Sequence, residues 1–386
     1  MRTIAAIGAL LAFPGLACSS SGAPSIPDSN GDADVQQETS TLPPADAGAS
    51  GDDGGSTRPP PNSDAGAHPP DGGTVHADAG TDGGLEAGTP AIDYAPYFPT
   101  WVWGASGFAY TSLVDLQKKA GLNEVTIAFV LSNGGCNTTQ DIEQNASDVQ
   151  AFIAAGGHVK ASFGGADGTY VESQCASASD LATAIEGFVD ATGITDLDFD
   201  IEQDPVLTDA VNKMRGQALA MVQQSRHVRV AFTLAANPPP GGLTSQGLSV
   251  VSNAVSAGVQ VWHVNLMTMD YGDSYAGQPL APVAEGSLTA ANAQLVQAIP
   301  GLDTASAWRM LGVIPMIGKN DDTEVFSLQD ATDLTAFAKQ NGLGLVSFWS
   351  IDRDQVCPSG ADYNSCSTVD TSNFQFDAIF RGVTAP

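Results

Sequence analysis

From residue 92 onward the chain alternates short apolar runs with longer segments in which apolar residues recur at helical spacing. The short runs predict strands over residues 94–101, 125–131, 158–163, 196–202, 227–234, 259–269, 310–316 and 343–350. The longer segments predict helices over residues 111–120, 139–155, 179–192, 208–224, 244–257, 288–299, 328–340 and 374–381. Ser, Thr or Asp near the helix starts, and Gly at positions 121, 156, 193 and 342, support these boundaries because both are typical helix caps.

Strands that alternate with helices are typical of a parallel sheet with right-handed crossovers. Eight such pairs predict an α/β fold, a (β/α)8 TIM barrel over residues 92–386, and the length suits this fold. A doubly wound open sheet is the alternative, and it is less favoured because no Gly-x-Gly-x-x-Gly motif follows the first strand. In a barrel of this kind the catalytic groups lie at the carboxyl ends of the strands.

The part of the chain before the predicted barrel has a different composition. Residues 18–91 are dominated by Gly, Ala, Pro, Ser, Thr and Asp, as in Asp52-Asp53-Gly54-Gly55 and Pro59-Pro60-Pro61. A segment with so few large apolar residues buries too little surface to offset the entropy lost on ordering. We therefore predict that residues 18–91 form a disordered acidic linker.

The N-terminus predicts export. An apolar run from Ile4 to Phe13 follows Arg2, which is typical of a signal peptide, here residues 1–17, and the run is too short to span a bilayer. Gly15-Leu16-Ala17-Cys18 resembles a lipoprotein processing site, although Gly15-x-Ala17 also fits an ordinary signal peptidase. We expect a lipidated Cys18 that attaches the protein to the outer membrane or cell surface, with an extracellular protein as the alternative.

The other four cysteines predict disulfide bonds, since the chain is predicted to be exported. Cys357 and Cys366 close a short loop, and Cys136 and Cys175 follow neighbouring predicted strands, although the sequence leaves three pairings open. Zinc is the competing use of cysteine, but no Cys-x-x-Cys motif or nearby His supports it. We predict neither a metal site nor a cofactor.

The charge of the chain excludes some partners. The formal net charge is −29, from 14 Lys and Arg against 43 Asp and Glu. Such an excess of negative charge argues against nucleic acid and against anionic membranes as binding partners. It suits an uncharged or cationic substrate, and we expect the protein to be a monomer.

Four acids alternate with apolar residues in the fourth predicted strand. Asp196, Asp198, Asp200 and Glu202 fall on one face, because successive residues of a strand point to opposite sides. Their neighbours at 197, 199 and 201 are Leu, Phe and Ile, which suit a packed opposite face. Crowded carboxylates repel one another and resist burial, so a strand that keeps them indicates a chemical use.

Two simpler interpretations of this acidic row fail. A solvated edge strand normally mixes charges of both signs, and no residue of this row is basic. A calcium loop needs Gly at its sixth position and Glu at its twelfth. Counted from Asp196, those positions hold Ile201 and Leu207. The row therefore predicts a catalytic site, with Glu202 at the end of its strand.

Several motifs resemble glycoside hydrolase family 18, the chitinase family. Ser162-Phe163-Gly164-Gly165 in the third strand resembles the family's S-x-G-G motif, and Asp198-x-Asp200-x-Glu202 in the fourth resembles the end of its D-x-x-D-x-D-x-E motif. Asn265-Leu266-Met267-Thr268-Met269-Asp270-Tyr271 in the sixth strand is similar to the family's M-x-Y-D region. Trp349 in the eighth strand matches the Trp that floors the site of the cleaved sugar.

Two positions depart from the family pattern. The first Asp of the acidic motif falls on Thr195, so that carboxylate is absent or shifted to Asp196. The position of the family's Tyr holds Met269, and Tyr271 follows two residues later. Strand alternation would place Tyr271 on the same side as Met269.

The resemblance implies a retaining mechanism in which the substrate's own 2-acetamido oxygen attacks the anomeric carbon, which fits the lack of an evident nucleophilic carboxylate. Glu202 would be the general acid and then the base, Asp200 would orient the acetamide N–H, Asp198 would share a proton with Asp200, and Tyr271 would hold the acetamide oxygen. The resemblance further implies that these residues bind substrate: Trp349, Met267, Met269, Asp270, Asn265, Ser162, Gly164 and Gly165.

On this resemblance we expect an endo-acting chitinase that binds chitin or another oligosaccharide containing N-acetylglucosamine. An endo-β-N-acetylglucosaminidase that releases N-glycans is the nearest alternative, since it uses the same chemistry. A carbohydrate-binding barrel without turnover is the third possibility, but the presence of Glu202 argues against it. The aromatic residues Tyr97, Phe98, Trp101 and Trp103 are either stacking subsites or barrel core.

Overall fold

Parallel strands close into a barrel in the computed structural model, which describes residues 91–361 and 364–384. Strand β1 consists of Asp93–Tyr94 and Tyr97–Pro99, and it is followed by β2 (Glu124–Val130), β3 (His158–Gly164), β4 (Asp196–Ile201), β5 (Arg229–Asn237), β6 (Val261–Met267), β7 (Leu311–Ile314) and β8 (Leu345–Val346). Each strand pairs in parallel with the next along the chain. The predicted (β/α)8 barrel is confirmed. The predicted signal peptide, and the predicted linker up to residue 90, lie outside the described residues.

The barrel closes because the two segments of β1 pair with different neighbours. The first segment lies beside β8, with Asp93 opposite Leu345, and the second lies beside β2. The N–H group of Tyr97 also donates to the carbonyl of Phe348, 3.1 Å away. With both sides of β1 occupied, the barrel sheet has no free edge among the described strands.

One main helix follows each strand. These helices are α1 (Leu113–Ala120), α2 (Ala146–Ala154), α3 (Ala178–Thr192), α4 (Asp209–Arg226), α5 (Ser245–Ser256), α6 (Ala281–Ala298), α7 (Leu328–Asn341) and α8 (Gln375–Phe380). Two short helices, Asp141–Gln144 and Thr304–Met310, precede α2 and β7. Side chains of Ser112 and Ser177 cap the starts of α1 and α3, and Gly121 and Gly193 end these helices in the left-handed conformation, as the sequence predicts.

Helix α6 begins seven residues before its predicted start. The N–H groups of Leu280 and Ala281 donate to Oδ1 of Asp330, at 2.8 and 3.0 Å, so a carboxylate from the start of α7 caps this end. Asp330 also forms a capping box with Ser327 for its own helix. A cap supplied by a residue 50 positions away leaves no local sequence signal.

Strand β4 separates apolar from polar residues as predicted. Leu197, Phe199 and Ile201 are buried between the sheet and the helices. Phe199 stacks on Phe163 of β3, with ring centroids 5.0 Å apart. The acids of the same strand consequently point toward the barrel interior, where they form the centre of the candidate site.

Disulfide bonds join the two pairs of cysteines that the sequence favoured. Cys136 in the loop after β2 is bonded to Cys175 after β3, and Cys357 is bonded to Cys366 in the loop after β8. The first bond therefore ties together two loops at the carboxyl ends of neighbouring strands. In the part of the chain that the structure describes, no helix combines the length and the apolar character needed to cross a membrane.

Candidate active site

Strand β4 carries three buried carboxylates on the face that points into the barrel. Asp196, Asp198 and Asp200 are 6%, 3% and 4% exposed. Asp196 is the first residue of the strand, where it accepts a 2.6 Å hydrogen bond from Arg229 and pairs with His158. It therefore belongs to a charged cluster at the amino ends of the strands. The candidate chemistry lies with Asp198, Asp200 and the residue that follows the strand.

Asp198 is surrounded by donors from four other strands of the barrel. Its Oδ2 accepts hydrogen bonds from Ser162 Oγ at 2.7 Å and from the Tyr97 hydroxyl at 2.9 Å. Its Oδ1 accepts from Thr233 Oγ1 at 2.9 Å and from Asn265 Nδ2 at 3.4 Å. Burial raises the pKa of Asp198, whereas the hydroxyl donors favour its ionised form and oppose that rise.

Asp200 and Glu202 form a hydrogen-bonded pair of carboxyl groups. Burial, together with the charges of Glu202 and Asp198, holds the pKa of Asp200 well above its ordinary value. The sharing of a proton between Asp200 and Asp198 stays a prediction, and the charges of both Glu202 and Asp198 act on Asp200. Oδ1 of Asp200 has no hydrogen-bond partner among the described residues, and its side chain lines a cavity.

Glu202 follows the last residue of β4 and also lines the cavity. Burial raises the pKa of Glu202 to about 7; a hydrogen bond with Asp200 opposes this rise, and the carboxylates of Asp270, Asp167 and Asp321 add to it. A carboxyl group with this pKa keeps a proton near neutral pH and still releases it readily. This protonation behaviour is what a general acid and base requires.

These acids open into a cavity of about 510 Å³. The lining residues that the sequence predicted are Asp200, Glu202, Met267, Met269, Asp270 and Trp349. Further lining residues were not predicted as site residues, and they include Phe129, Asp167, Met316, Asp321, Asp352 and Arg353. The cavity thus combines a row of carboxyl groups with apolar and aromatic walls.

Aromatic rings form one wall of the cavity around Trp349. The Trp349 ring stacks on Phe129 of β2, with centroids 5.5 Å apart and planes inclined by 14°. Tyr97 meets its edge at 5.7 Å, and Trp101 lies at 6.0 Å with 55% of its surface exposed. The peptide bonds Ala128–Phe129 and Trp349–Ser350 are both cis. A large aromatic face of this kind suits the apolar face of a sugar ring.

Asp270 lies where the chain leaves β6, in the left-handed conformation with φ of 51°. Its Oδ1 accepts a 2.9 Å hydrogen bond from the N–H group of Asp321, and its own N–H donates to Asn320. Burial raises the pKa of Asp270 to about 6, and the carboxylate of Asp321 adds to the rise. These backbone contacts fix Asp270 on the cavity that Glu202 also lines.

Four of the predicted binding residues lie beneath the cavity and do not line it. Ser162 and Asn265 bond Asp198, as described above. A Cβ atom at Gly165 would lie 2.7 Å from the Phe129 ring, and one at Gly164 would lie 2.1 Å from the Asp200 carbonyl oxygen. Both glycines also have φ near 100°, so they are needed for close packing of the strand ends.

The predicted position of Tyr271 is wrong. Its hydroxyl lies 3.2 Å from Ser287 Oγ of helix α6, and the residue does not line the cavity. Strand β6 ends at Met267, and the left-handed Asp270 turns the chain before Tyr271. Strand alternation therefore does not extend to this position, and the Tyr271 hydroxyl contacts helix α6 instead of the cavity.

Sequence reasoning missed Phe129, and it left Tyr97 undecided between subsite and core. Both residues stand in apolar strands whose pattern is that of ordinary barrel core. Tyr97 is 2% exposed, yet its hydroxyl reaches Asp198 and its ring reaches the cavity. Tyr97 is both a buried barrel residue and a residue of the site, so nothing in its local sequence distinguishes these two roles.

The chain is similar to known chitinases. It is 33% identical over 286 residues to endochitinase 11 of Metarhizium anisopliae, which covers 69% of this chain and 53% of that protein. It is 31% identical over 324 residues to the probable bifunctional chitinase/lysozyme of Escherichia coli strain K12, which covers 76% of this chain and 35% of that protein. The chain thus spans about half and about a third of the length of these two relatives.

A solved structure gives the same indication over nearly its full length. The catalytic domain of a hyperthermophilic chitinase from Pyrococcus furiosus matches with a TM-score of 0.66 and 31% identity, covering 77% of this chain and 96% of that one. No protein-family model matches the chain. The match to this solved structure covers 77% of the chain. It therefore includes the barrel that carries the acidic row, because the described residues outside the barrel are too few to account for it.

Proposed function

The chain belongs to glycoside hydrolase family 18, and we propose that it is a chitinase that hydrolyses β-1,4 linkages between N-acetylglucosamine residues. The observation that carries the proposal is the pair of carboxyl groups, Asp200 and Glu202, that line a cavity with an aromatic wall. The carboxyl of Asp200 supplies an acceptor for an acetamide N–H, and the wall supplies a stacking face for a sugar ring.

In the first step, Glu202 gives its proton to the glycosidic oxygen as the bond from that oxygen to the anomeric carbon breaks. The acetamide oxygen of the sugar that contains this anomeric carbon forms a new bond to it, which yields an oxazolinium ion. Asp200 accepts the acetamide N–H, and the carboxylate that Glu202 becomes on losing its proton balances the positive charge that develops. Asp198, held by the hydroxyls of Tyr97, Ser162 and Thr233, places a further negative charge below Asp200.

In the second step, Glu202 is ionised and takes a proton from water. The resulting hydroxide equivalent attacks the anomeric carbon from the face that the leaving group vacated, and the oxazolinium ring opens. Two inversions give net retention, so the first product has the β configuration. Trp349 and Phe129 hold the sugar during both steps.

We further propose endo action on an open binding surface. Between β7 and helix α7, only a two-stranded hairpin (Gly318–Lys319 with Val325–Phe326) intervenes among the described residues. Trp101, 55% exposed at the cavity edge, extends the aromatic surface beyond Trp349. A hairpin of this size builds no tall wall along the cavity, so a long chain can bind along its length.

Hydrolysis of chitotetraose, followed by NMR of the newly formed anomer, tests the mechanism directly. We expect the β anomer first, and inhibition by a thiazoline analogue of N-acetylglucosamine. Release of the α anomer, or indifference to the thiazoline, would rule out acetamide participation. Colloidal chitin measured against a high-mannose glycoprotein decides the substrate, since an endo-β-N-acetylglucosaminidase would act on the glycoprotein alone.

We propose that the protein acts outside the cytoplasm, held at a surface by a lipid on Cys18. The two disulfides among the described residues support an oxidising compartment. Labelled fatty acid should enter the wild-type protein and not a Cys18→Ser variant, which should appear in the culture medium. If both proteins took up the label equally, the lipid would not be attached to Cys18. If neither took up label and both appeared in the medium equally, the protein would be secreted in the ordinary way.

A further inference from the structure

Tyr170 is a buried residue outside the recognised motifs, and its hydroxyl lies under the backbone of the two acids that line the cavity. It is 2% exposed and lies in the loop after β3. Its hydroxyl accepts a 2.9 Å hydrogen bond from the N–H of Glu202 and donates to the carbonyl of Gly165 at 2.7 Å. The carbonyl oxygen of Asp200 lies 3.1 Å from the same hydroxyl. One hydroxyl group thus joins the ends of β3 and β4.

This contact lies where regular strand pairing stops. The pairing of β3 with β4 ends at Gly164 and Asp200, and the pairing of β4 with β5 ends at Ile201. Glu202 is therefore the first residue whose N–H group has no strand partner. The Tyr170 hydroxyl takes the place of that partner, so it fixes the backbone from which the Glu202 side chain projects.

The glycine pair of the third strand makes room for this tyrosine. A Cβ atom at Gly164 would lie 2.7 Å from the Tyr170 ring. Gly165 donates its N–H to the Asp200 carbonyl at 3.0 Å and accepts from Tyr170 through its own carbonyl. The S-x-G-G motif therefore supports the acidic strand through Tyr170, in addition to placing Ser162 against Asp198.

The segment around Tyr170 is itself held on both sides. Before it, the carbonyl of Thr169 accepts a 2.8 Å hydrogen bond from the N–H of Ser132. After it, the buried Glu172 pairs with the buried Arg215, 2.8 Å away, and Cys175 is disulfide-bonded in the same segment. Because both flanks are anchored, the hydroxyl has little freedom to follow a displaced Glu202.

We propose that Tyr170 is a positioning residue that aims the carboxyl of Glu202 at the glycosidic oxygen. It does not line the cavity, so it acts through the backbone of Glu202 and not through contact with the sugar. The proposal rests on the proposed role of Glu202 as the general acid. It predicts a defect that is confined to proton donation.

Tyr170→Phe keeps the ring and removes the hydroxyl, and two substrates separate its possible effects. Chitotetraose needs a proton on its leaving oxygen, whereas 2,4-dinitrophenyl N,N′-diacetylchitobioside releases a phenolate that needs none. The ratio kcat/KM reports on events up to the first bond cleavage. We expect it to fall about 10- to 100-fold for chitotetraose and less than about threefold for the aryl glycoside.

Rates are expressed per site titrated with the thiazoline inhibitor, so that unfolded protein does not enter the comparison. Tyr94→Phe is the matched control, because it removes a buried hydroxyl that bonds Asp377 at 2.9 Å away from the cavity. This control variant should leave the ratio of the kcat/KM values for the two substrates unchanged. Equal losses on both substrates in Tyr170→Phe would overturn the positioning role and indicate a general structural one.

Two further measurements keep the outcome decisive. In a Glu202→Gln background, Tyr170→Phe should have no additional effect on chitotetraose, and an undiminished effect would contradict action through Glu202. If Tyr170→Phe does not fold, Ser173→Ala replaces it, since Ser173 Oγ donates to the Tyr170 carbonyl at 2.7 Å. That variant should lose activity on chitotetraose alone. A wild-type enzyme inactive on chitotetraose would instead refute the proposed function itself.

Discussion

The hydroxyl of Tyr97 donates a 2.9 Å hydrogen bond to Oδ2 of Asp198 across the interior of the barrel. The two residues stand on strands that are not neighbours in the sheet, β1 and β4. The bond therefore ties the strand that closes the barrel to the strand that carries the acids. It also links the aromatic wall to the carboxyl row, since the Tyr97 ring contacts Trp349.

Tyr97→Phe should lower kcat on chitotetraose by roughly 10- to 100-fold, because one of the donors that favour the ionised Asp198 is lost. The same loss should move the acid limb of the pH–rate profile to higher pH. Initial rates measured between about pH 4 and pH 8 check both effects. Tyr110→Phe is the control, because its buried hydroxyl has no hydrogen-bond partner in the described part of the chain. An unchanged acid limb would argue against this account of Asp198.

Glu202→Gln should reduce kcat by about 10²- to 10⁴-fold while chitotetraose still binds, since the amide keeps the shape of the side chain but has no proton to transfer. Turnover assays and calorimetric titration of the same samples measure the two effects. Glu186→Gln on helix α3 is a matched change outside the cavity lining and should behave as wild type. Wild-type turnover in Glu202→Gln would assign the acid elsewhere.

The pH dependence of the rate follows from the raised pKa of Glu202, about 7. The protonated form is the acid, so kcat/KM should be highest below that value and should fall as the pH rises through about 7. Asp270→Asn removes a neighbouring negative charge, so it should move this basic limb to lower pH. Asp333→Asn, outside the lining, should leave it in place. A basic limb that moved to higher pH in Asp270→Asn would contradict the expected effect of the Asp270 charge on the pKa of Glu202.

Trp349→Ala should weaken substrate binding by roughly 10- to 100-fold, because the sugar loses its largest stacking face. KM and the inhibition constant of the thiazoline report the loss. Trp262→Ala is the matched control, since Trp262 is 47% exposed and lies against Arg229, outside the cavity lining. If both variants bind equally well, the aromatic wall is not the sugar platform.

The charged cluster at the amino ends predicts a pH-dependent stability. The hydrogen bonds that the His158 ring donates to Asp196 and Glu124 raise the pKa of His158 to about 9. A raised pKa stabilises the fold fully below the ordinary value of 6.5, and this contribution is lost as the pH rises through about 9. Urea unfolding between pH 6 and 10 should show the decline, and His158→Gln should flatten it. An equal slope in both proteins would exclude His158 as its source.

The acidic row was predictable because a strand has a strict period of two. Once the barrel was inferred, the end of β4 was the expected place for Glu202, and the structure places it there, on the cavity. The same period gave a wrong position for Tyr271, because β6 ends at Met267 and the left-handed Asp270 breaks the alternation. The alternation holds only within a strand, and the residue at which a strand ends is the feature that the sequence indicates least clearly.

Contacts between distant residues are what the sequence could not supply. The start of α6 depends on Asp330, and the backbone position of Glu202 depends on Tyr170, 32 residues earlier. Phe129 looks like core in its strand, and it becomes part of the cavity wall only because Trp349 reaches it from the other end of the domain. Each of these roles follows from the closed barrel and from no local pattern.

The closing pair of Asp93 with Leu345 has a consequence for biosynthesis. A nascent chain that has not yet extended to residue 345 leaves β1 and β7 with unpaired sides, which are ready to bond with another polypeptide. The barrel therefore completes only when nearly all of the domain has been synthesised.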